Sequence, residues 1–253
     1  MAISLDLSGR RVLVVGASSG VGRALGLRAA AAGARVAFAA RRVDRCAEAA
    51  REAGSGALAL RCDVRDEAEC KTLIRGVEDA FGGLDAMVYA TGLSPLAMLE
   101  TATAEEWREV LAANVMGASL VTAAALPALR ASQGRAVYIS SYSVRMPLPG
   151  LGLYRVSKVA LDQRVECWRM EHPDVDFTRV VVGNTVGTEF AATWEPARLR
   201  EALDVWVKRN LFPAATMMSL DVLCESVLSV LAVRGYVDDI AVMPRTRDPK
   251  PEV

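Results

Sequence analysis

The chain has 253 residues, of which 52% are hydrophobic and 24% are charged, so a large core is possible and a disordered chain is not expected. Thirty basic residues balance thirty acidic ones, which argues against a broad charged surface for nucleic acid or anionic membrane. We therefore predict one α/β domain over residues 1–253, with neither nucleic acid nor a membrane as partner.

Apolar strand patterns alternate with helical patterns along the chain. The predicted strands cover residues 11–15, 35–40, 58–62, 86–90, 135–140, 176–182 and 240–244. The predicted helices cover residues 21–32, 43–53, 67–81, 104–131 and 153–171. Near-continuous apolar strands separated by helices indicate a parallel sheet covered on both faces. Right-handed crossovers then predict a doubly wound, Rossmann-like α/β fold of about seven strands, with ligands at the carboxyl ends of the strands.

Residues 184–218 interrupt this alternation with an apolar insertion. Its large apolar side chains are Phe190, Trp194, Trp206, Leu211, Phe212, Met217 and Met218. Because the insertion follows the carboxyl end of a strand, it suits a mobile lid over a substrate pocket. An oligomer interface or an ordinary core helix explains the same composition equally well.

The N-terminal region and the cysteines indicate a cellular compartment. The stretch MAISLDLSGR lacks a basic region followed by an apolar run, so no signal peptide is expected. No apolar run approaches the roughly 20 residues that a bilayer span needs. The five cysteines are scattered and form no C-x-x-C pair, which favours reduced, mostly buried thiols and no bound metal. We expect a cytoplasmic protein.

The first predicted strand runs directly into GASSGVG at residues 16–22. One glycine permits a tight turn, another lets the backbone approach a pyrophosphate, and free N–H groups of the next helix hold the anion. The spacing differs from the standard G-x-G-x-x-G, but its place in the first strand–helix unit favours a nucleotide cofactor site. The residues expected to form it are Gly16, Ser18, Ser19, Gly20, Val21 and Gly22.

Arg41 and Arg42 follow the end of the second predicted strand, and the first acidic residue after it is Asp44. An NAD site normally has an acidic residue here for the ribose 2′-hydroxyl, whereas a guanidinium can clamp a 2′-phosphate. We therefore predict NADP(H) over NAD, with Arg41 as the main selectivity residue and Arg42 in support. The alternative is that both are solvated arginines at the start of a helix.

The third predicted strand is followed by Asp63 and Val64. Asp63 is placed to accept from an adenine amino group, and Val64 to support the adenine ring. The alternative is that Asp63 is the N-cap of the next helix, a position where aspartate is favoured.

Several motifs together resemble the short-chain dehydrogenase/reductase family over nearly the whole chain. GASSGVG resembles the family's T-G-x-x-x-G-x-G, with Val15 in place of the threonine. YATG at residues 89–92 corresponds to N-N-A-G and matches it at Ala90 and Gly92. LAANVMG at residues 111–117 resembles the family helix that contributes a catalytic asparagine, here Asn114.

The catalytic segments of the family have counterparts further along the chain. YISSYS at residues 138–143 resembles the strand end with the catalytic serine, and the family's spacing selects Ser141 over Ser140. YRVSK matches Y-x-x-x-K, which gives Tyr154 and Lys158.

GNTVGT at residues 183–188 corresponds to the family's P-G-x-V-x-T. It keeps Val186 and Thr188, which the resemblance places beside the nicotinamide. Gly183 and Asn184 replace the proline and glycine, so the path of this loop is expected to differ from the family's.

The spacing of Tyr154 and Lys158 places both side chains on one helix face. A free phenol has a pKa of about 10, too high for proton exchange near neutrality. A nearby ammonium and a positive nicotinamide ring both favour the phenolate, so we expect the pKa of Tyr154 to fall toward the working range. The resemblance adds that Lys158 holds the nicotinamide ribose.

The predicted activity is hydride transfer between a nicotinamide and a carbonyl or secondary alcohol, with Tyr154 as general acid and base. Ser141 would donate a hydrogen bond to the substrate oxygen, and Asn114 would hold a water that connects Lys158 to solvent. The apolar insertion suits a bulky apolar small molecule as substrate. The resemblance also implies a homotetramer or homodimer built through the helices at residues 104–131 and 153–171.

A catalytically idle NADP-binding module that senses redox state is the alternative function. The altered YATG and GNTVGT segments favour it. A module that only binds, however, has no physical need of a serine, a tyrosine, a lysine and an asparagine at these spacings.

Overall fold

The computed structural model describes residues 5–54, 56–211 and 217–245. The strands are β1 (Arg11–Val15), β2 (Arg35–Ala40), β3 (Leu58–Arg61), β4 (Ala86–Tyr89), β5 (Arg135–Ile139), β6 (Asp176–Val182) and β7 (Asp239–Val242). They form one parallel sheet of seven strands in the order β3-β2-β1-β4-β5-β6-β7. The predicted doubly wound α/β fold is confirmed. The order reverses between β1 and β4, and this is the point where ligands bind in such sheets.

The helices lie on both faces of the sheet. They are α1 (Gly20–Ala31), α2 (Val43–Ala53), α3 (Glu67–Phe81), α4 (Ala104–Leu111), α5 (Gly117–Ser132), α6 (Gly152–Glu171), α7 (Pro196–Lys208) and α8 (Leu220–Ala232). Four of the five predicted helices are confirmed with small shifts at their ends. α7 lies inside the apolar insertion, and α8 has no counterpart in the sequence prediction.

Alternating side chains of the strands point into two hydrophobic layers, one on each face of the sheet. In β1, Leu13 and Val15 face the layer that α3, α5 and α6 cover, whereas Val12 and Val14 face the layer that α1, α2 and α8 cover. Successive strand residues point to opposite faces, so a strand that is apolar at every position must be buried on both. This explains why the strands could be predicted from continuous apolar runs.

The long helix predicted at residues 104–131 is instead α4 and α5 joined by a π-helical turn at Ala112–Met116. Asn114 lies in this turn and is fully buried. Single π turns inside α-helices occur often at functional sites. The turn changes which face of the helical run Asn114 occupies.

Ala104–Ser132 forms one helical run of 29 residues, with a mean hydropathy of 1.6 over its most apolar stretch. By length and composition it could cross a membrane, contrary to the expectation that no run approaches that length. Half of that stretch is buried inside the protein. Side chains such as Val121 and Leu129 belong to the layer shared with α3 and α6.

The apolar insertion is partly core. Trp206 is 8% exposed and packs with Leu96, Leu151 and Ala202, and its indole N–H donates to the carbonyl of Pro149 at 2.8 Å. Phe190, by contrast, is 36% exposed. Phe212 lies outside the described residues. The core-helix interpretation therefore suits α7. The segment before α7 is more exposed and lies beside the candidate site.

The five cysteines are free thiols. Cys46, Cys62, Cys70 and Cys224 are buried, and Cys167 is exposed. Burial raises the pKa of the Cys46 and Cys224 thiols to about 11, which makes them poor nucleophiles. These thiols have the mostly buried character that the sequence predicts.

Candidate active site

The glycine-rich turn lies at the carboxyl end of β1, beside the segment that follows β4. Gly16 has a φ of +90°, and a Cβ there would lie 2.6 Å from the backbone nitrogen of Thr91. A Cβ on Gly22 would lie 2.4 Å from the carbonyl oxygen of Gly16. Only glycine permits the turn and the close contact, so these residues form a compact turn at the start of α1.

Arg42 lies over the glycine-rich turn. Its Nη2 atom donates to the hydroxyl of Ser18 at 2.9 Å and to that of Ser19 at 2.8 Å. The side chain of Arg41 is exposed and forms no hydrogen bond within the described ranges. The sequence ranked Arg41 first for a cofactor phosphate, whereas the side chain that folds back over the turn is that of Arg42, the residue directly before α2. The roles of both arginines in cofactor selectivity stay predictions.

Asp63 and Val64 lie at the carboxyl end of β3. Asp66, and not Asp63, is the N-cap of α3, so that alternative is wrong. The pKa of Asp63 is lowered to about 2, chiefly by hydrogen bonds from Arg65, and Arg41 adds to the lowering. Val64 is 6% exposed and belongs to the core layer that α3 and α5 share. The adenine contacts of both residues stay predictions.

The Tyr154 and Lys158 side chains lie in the first two turns of α6, at the carboxyl edge of the sheet. They are 7% and 4% exposed. The Nζ atom of Lys158 donates to the carbonyl of Ile139, the last residue of β5, at 2.8 Å and lies 5.8 Å from the centroid of the Tyr154 ring. A Cβ on Gly92 would lie 3.5 Å from that Nζ atom, so this glycine lies beside the amine.

Burial dominates the ionisation of this pair. It raises the pKa of Tyr154 to about 12, and a hydrogen bond with Ser141 offsets this only in part. It also lowers the pKa of Lys158 to about 8. In the protein alone, burial therefore outweighs the lowering of the phenol pKa that was expected from the amine, whose Nζ atom is directed at the carbonyl of Ile139. The effect expected from a nicotinamide ring stays a prediction.

A family model described as short chain dehydrogenase matches residues 10–198. This chain belongs to the short-chain dehydrogenase family. Among its relatives, 11-beta-hydroxysteroid dehydrogenase A of Sesamum indicum is 37% identical over 186 residues, which cover 71% of this chain and 53% of that protein. The human mitochondrial dehydrogenase/reductase SDR family member 2 is 30% identical over 196 residues, which cover 70% of each chain. This chain spans 50% to 64% of the length of the 11-beta-hydroxysteroid dehydrogenases that it matches.

Solved structures of short-chain dehydrogenases share the fold. One from Mycobacterium marinum has a TM-score of 0.81 and 27% identity and covers 94% of this chain and 96% of its own. An alcohol dehydrogenase from Thermococcus sibiricus complexed with 5-hydroxy-NADP has a TM-score of 0.80 and 24% identity and covers 92% of this chain and 95% of its own.

In this short-chain dehydrogenase, Asn114 ties three segments together. Its Oδ1 atom accepts from the backbone N–H of Leu93 at 2.7 Å. Its Nδ2 atom donates to the carbonyl of Leu93 at 2.9 Å and to the hydroxyl of Ser157 at 2.8 Å, and that hydroxyl donates to the carbonyl of Tyr154. The π turn aims Asn114 at these partners. The water expected at Asn114 stays a prediction.

Ser141 follows β5, and its hydroxyl accepts from the backbone N–H of Ser143 at 3.2 Å. The guanidinium of Arg155 donates to the carbonyls of Ser143 and Val144 at 3.0 and 3.1 Å. Because Arg155 adjoins Tyr154 in α6, it holds the loop with the predicted serine against the helix with the predicted tyrosine.

The segment expected beside the nicotinamide departs from the family pattern at Gly183 and Asn184. The Asn184 carbonyl accepts from the backbone N–H of Met218, and the Met218 carbonyl accepts from that of Val186. Val186 is 46% exposed. The Cα atom of Thr188 lies 3.6 Å from where a Cβ on Gly20 would be. The loop thus passes close to the start of α1 despite the two replacements.

Residues 186–194 pass over the site. The ring of Phe190 meets that of Tyr154 edge-on with centroids 5.1 Å apart, and Trp194 meets Phe190 at 5.4 Å. The hydroxyl of Ser94 donates to the carbonyl of Phe190 at 2.5 Å, and the Trp194 indole donates to the carbonyl of Ser94 at 2.7 Å. This placement favours the lid interpretation for the segment before α7.

Sequence reasoning missed three residues that the structure places at or beside the site: Arg155, Ser157 and Glu189. Ser157, the hydroxyl partner of Asn114, lies inside the YRVSK motif directly before Lys158, but the motif alone assigns it no role. The others act across long sequence separations, which no local pattern reveals.

Burial of Lys158 predicts a pH dependence of stability. The unfolded amine binds its proton up to its ordinary pKa of 10.5, but the folded one only up to about 8, so stability rises with pH between these values. Relative to Lys158→Met, the wild type should gain about 3 kcal/mol over this window. Urea unfolding of both proteins at a series of pH values measures the difference. Parallel profiles would show that the folded amine is not desolvated.

Proposed function

We propose that this short-chain dehydrogenase is an NADP(H)-dependent oxidoreductase that acts on a carbonyl or secondary alcohol of an apolar substrate. The observation that carries the proposal is the buried Tyr154–Lys158 pair at the carboxyl edge of the sheet. Residues 189 and 190 connect this pair to Arg42, which lies over the glycine turn. Perturbed titratable groups in a crevice are typical of catalytic sites.

Tyr154 is the proposed proton donor. With a pKa of about 12 the phenol is protonated at neutral pH, which suits reduction of a carbonyl, where the substrate oxygen needs a proton. Ser141 holds the same oxygen by a hydrogen bond and stabilises the charge that develops on it. Lys158 returns a proton to the phenol through the water at Asn114.

The cofactor supplies the hydride when it is bound. Gly16 and Gly22 keep the turn narrow enough for a pyrophosphate to reach the start of α1. Ser18, Ser19 and Arg42 already form one hydrogen-bonded group, whose hydroxyls and guanidinium suit a 2′-phosphate. These residues fit NADP(H). The acidic residue that an NAD site normally has directly after β2 is replaced by Arg41 and Arg42.

The substrate is proposed to be bulky and apolar. Phe190 packs against Tyr154, Trp194 packs against Phe190, and Trp194 also packs against the apolar cluster around Trp206, which supports an apolar surface beside the phenol. Relatives named as 11-beta-hydroxysteroid dehydrogenases are 34–37% identical in part of their length, which supports a steroid-like ketone or alcohol as the first class to test.

A redox sensor without turnover is the second candidate. The Phe190 ring packed against Tyr154 favours it, because a phenol that stays covered has no access to substrate.

NADPH consumption with a panel of ketones, steroid ketones included, tests the proposal. Loss of NADPH fluorescence with at least one ketone, and formation of the matching alcohol, is the expected result. Tight NADPH binding without consumption of any ketone would favour the sensor. Absence of NADPH binding would contradict both.

We also propose a cytoplasmic homodimer or homotetramer assembled through α4, α5 and α6. Val156 and Met170 on α6 are 44% and 83% exposed, which supports a surface that a second copy covers. Sedimentation at a series of concentrations tests the assembly, and a monomer at every concentration would contradict it.

A further inference from the structure

Glu189 occupies the group of donors that the proposed function assigns to a cofactor phosphate. Its Oε2 atom accepts from the hydroxyl of Ser19 at 2.8 Å and from Nη2 of Arg42 at 2.8 Å. Its Oε1 atom accepts from Nη1 of Arg45 at 2.9 Å. An open cleft of about 560 Å³ lies here, lined also by Gly20. A carboxylate of the chain thus takes the place of a bound anion.

We propose that Glu189 is an internal competitor of the cofactor phosphate, which holds residues 186–194 closed until a phosphate displaces it. The proposal rests on the assignment of this cleft to NADP(H). The guanidinium of Arg42 has a limited number of donors, and the Nη2 atom that reaches Ser19 is the one that reaches Glu189. A phosphate and the carboxylate cannot both take these donors, so each must weaken the binding of the other.

The residue after Glu189 connects this competition to the catalytic end. Phe190 packs against Tyr154, and Ser94 and Trp194 hold it there. Adjacent residues of one segment therefore contact the phosphate end and the phenol end of the crevice. Release of Glu189 frees the segment at one end and lets Phe190 leave the phenol, so nucleotide binding is required before substrate reaches Tyr154.

Competition, and not protonation, is what releases Glu189. Hydrogen bonds from Arg42 and Ser19, with Arg45 adding to them, lower the pKa of Glu189 to about 2, so the carboxylate stays ionised at physiological pH. The side chains of Arg42 and Glu189 are 46% and 43% exposed. Ion pairs this exposed are weak, so a nucleotide phosphate can displace the carboxylate at modest cost.

Adenosine 2′,5′-bisphosphate is the probe for the test, because it has the 2′-phosphate of NADP(H) but no nicotinamide. Isothermal titration of Glu189→Gln is expected to show affinity about 5-fold higher than that of the wild type, since the internal competitor is weakened. Glu48→Gln is the matched control. Glu48 is exposed, lines the same cleft and forms no hydrogen bond in the described part of the chain, so its removal changes the charge without the competition.

The fluorescence of Trp194 reports the movement of the segment. Binding of the probe to the wild type should change the emission, and the change should be absent in Trp194→Phe. Equal affinity in the wild type, Glu189→Gln and Glu48→Gln, with the probe bound, would overturn the inference and leave the proposed function intact. An equal gain in both glutamine variants would also overturn it, because charge alone would then explain the gain. No binding of the probe to any variant would overturn the NADP(H) assignment as well.

Discussion

Tyr154→Phe is expected to lower ketone reduction by about 10³-fold, the range that a positioned general acid contributes. The change removes one oxygen atom and keeps the ring that packs against Phe190. NADPH affinity should therefore stay within about 2-fold of the wild type, because the pocket keeps its shape. Steady-state kinetics with the best ketone of the panel, together with a fluorescence titration of NADPH, measure both quantities.

Tyr236→Phe is the control for loss of a phenol hydroxyl. Tyr236 bonds to the carbonyl of Phe177 and to Asp238, away from the crevice, so turnover should be unchanged. Turnover retained in Tyr154→Phe would remove Tyr154 from the role of proton donor. Loss of NADPH binding in the same variant would show that the hydroxyl acts on the cofactor and not on the substrate.

Arg42→Asp is expected to weaken NADPH binding by about 100-fold and NADH binding by less than about 3-fold. The guanidinium would be lost from Ser18 and Ser19, and a carboxylate would face the 2′-phosphate. Arg41→Asp makes the same charge change one residue earlier, where the structure shows an exposed side chain. Arg41→Asp should weaken NADPH binding by about 5-fold, because it changes the local charge without removing a hydrogen bond.

The two aspartate variants decide between the ranking from the sequence and the ranking from the structure. A larger loss in Arg41→Asp than in Arg42→Asp would restore the order that the sequence predicted. An unchanged ratio of NADPH to NADH affinity in both variants would remove both arginines from cofactor selectivity. Combining Arg42→Asp with Glu189→Gln separates two effects on NADPH affinity, namely the contact of Arg42 with the cofactor and its hydrogen bond to Glu189.

The fold was predictable because the inner strands of the sheet are largely buried and stand in the sequence as apolar runs. β1, for example, is apolar from Val12 to Val15, and the structure buries each of these side chains. α8 was missed although its sequence has a helical period. Asp221, Glu225 and Ser229 are exposed at intervals of four residues, and most residues between them are buried.

The sequence predicted which residues form the candidate site, but not the contacts that they make. The spacing of Tyr154 and Lys158 is local, and a helix enforces it. The direction of the Arg42 side chain depends on rotamers at the start of α2, and the ionisation of Tyr154 depends on burial by distant segments. The contact of Glu189 with Arg42 joins residues 147 positions apart. Local patterns do not contain such pairings.

A crystal structure of the NADPH complex tests the central claim most directly. We predict the nicotinamide beside the hydroxyl of Tyr154, the ribose against Nζ of Lys158, and Phe190 moved off the phenol. A complex in which Phe190 still covers Tyr154 and the nicotinamide lies outside the crevice would contradict it.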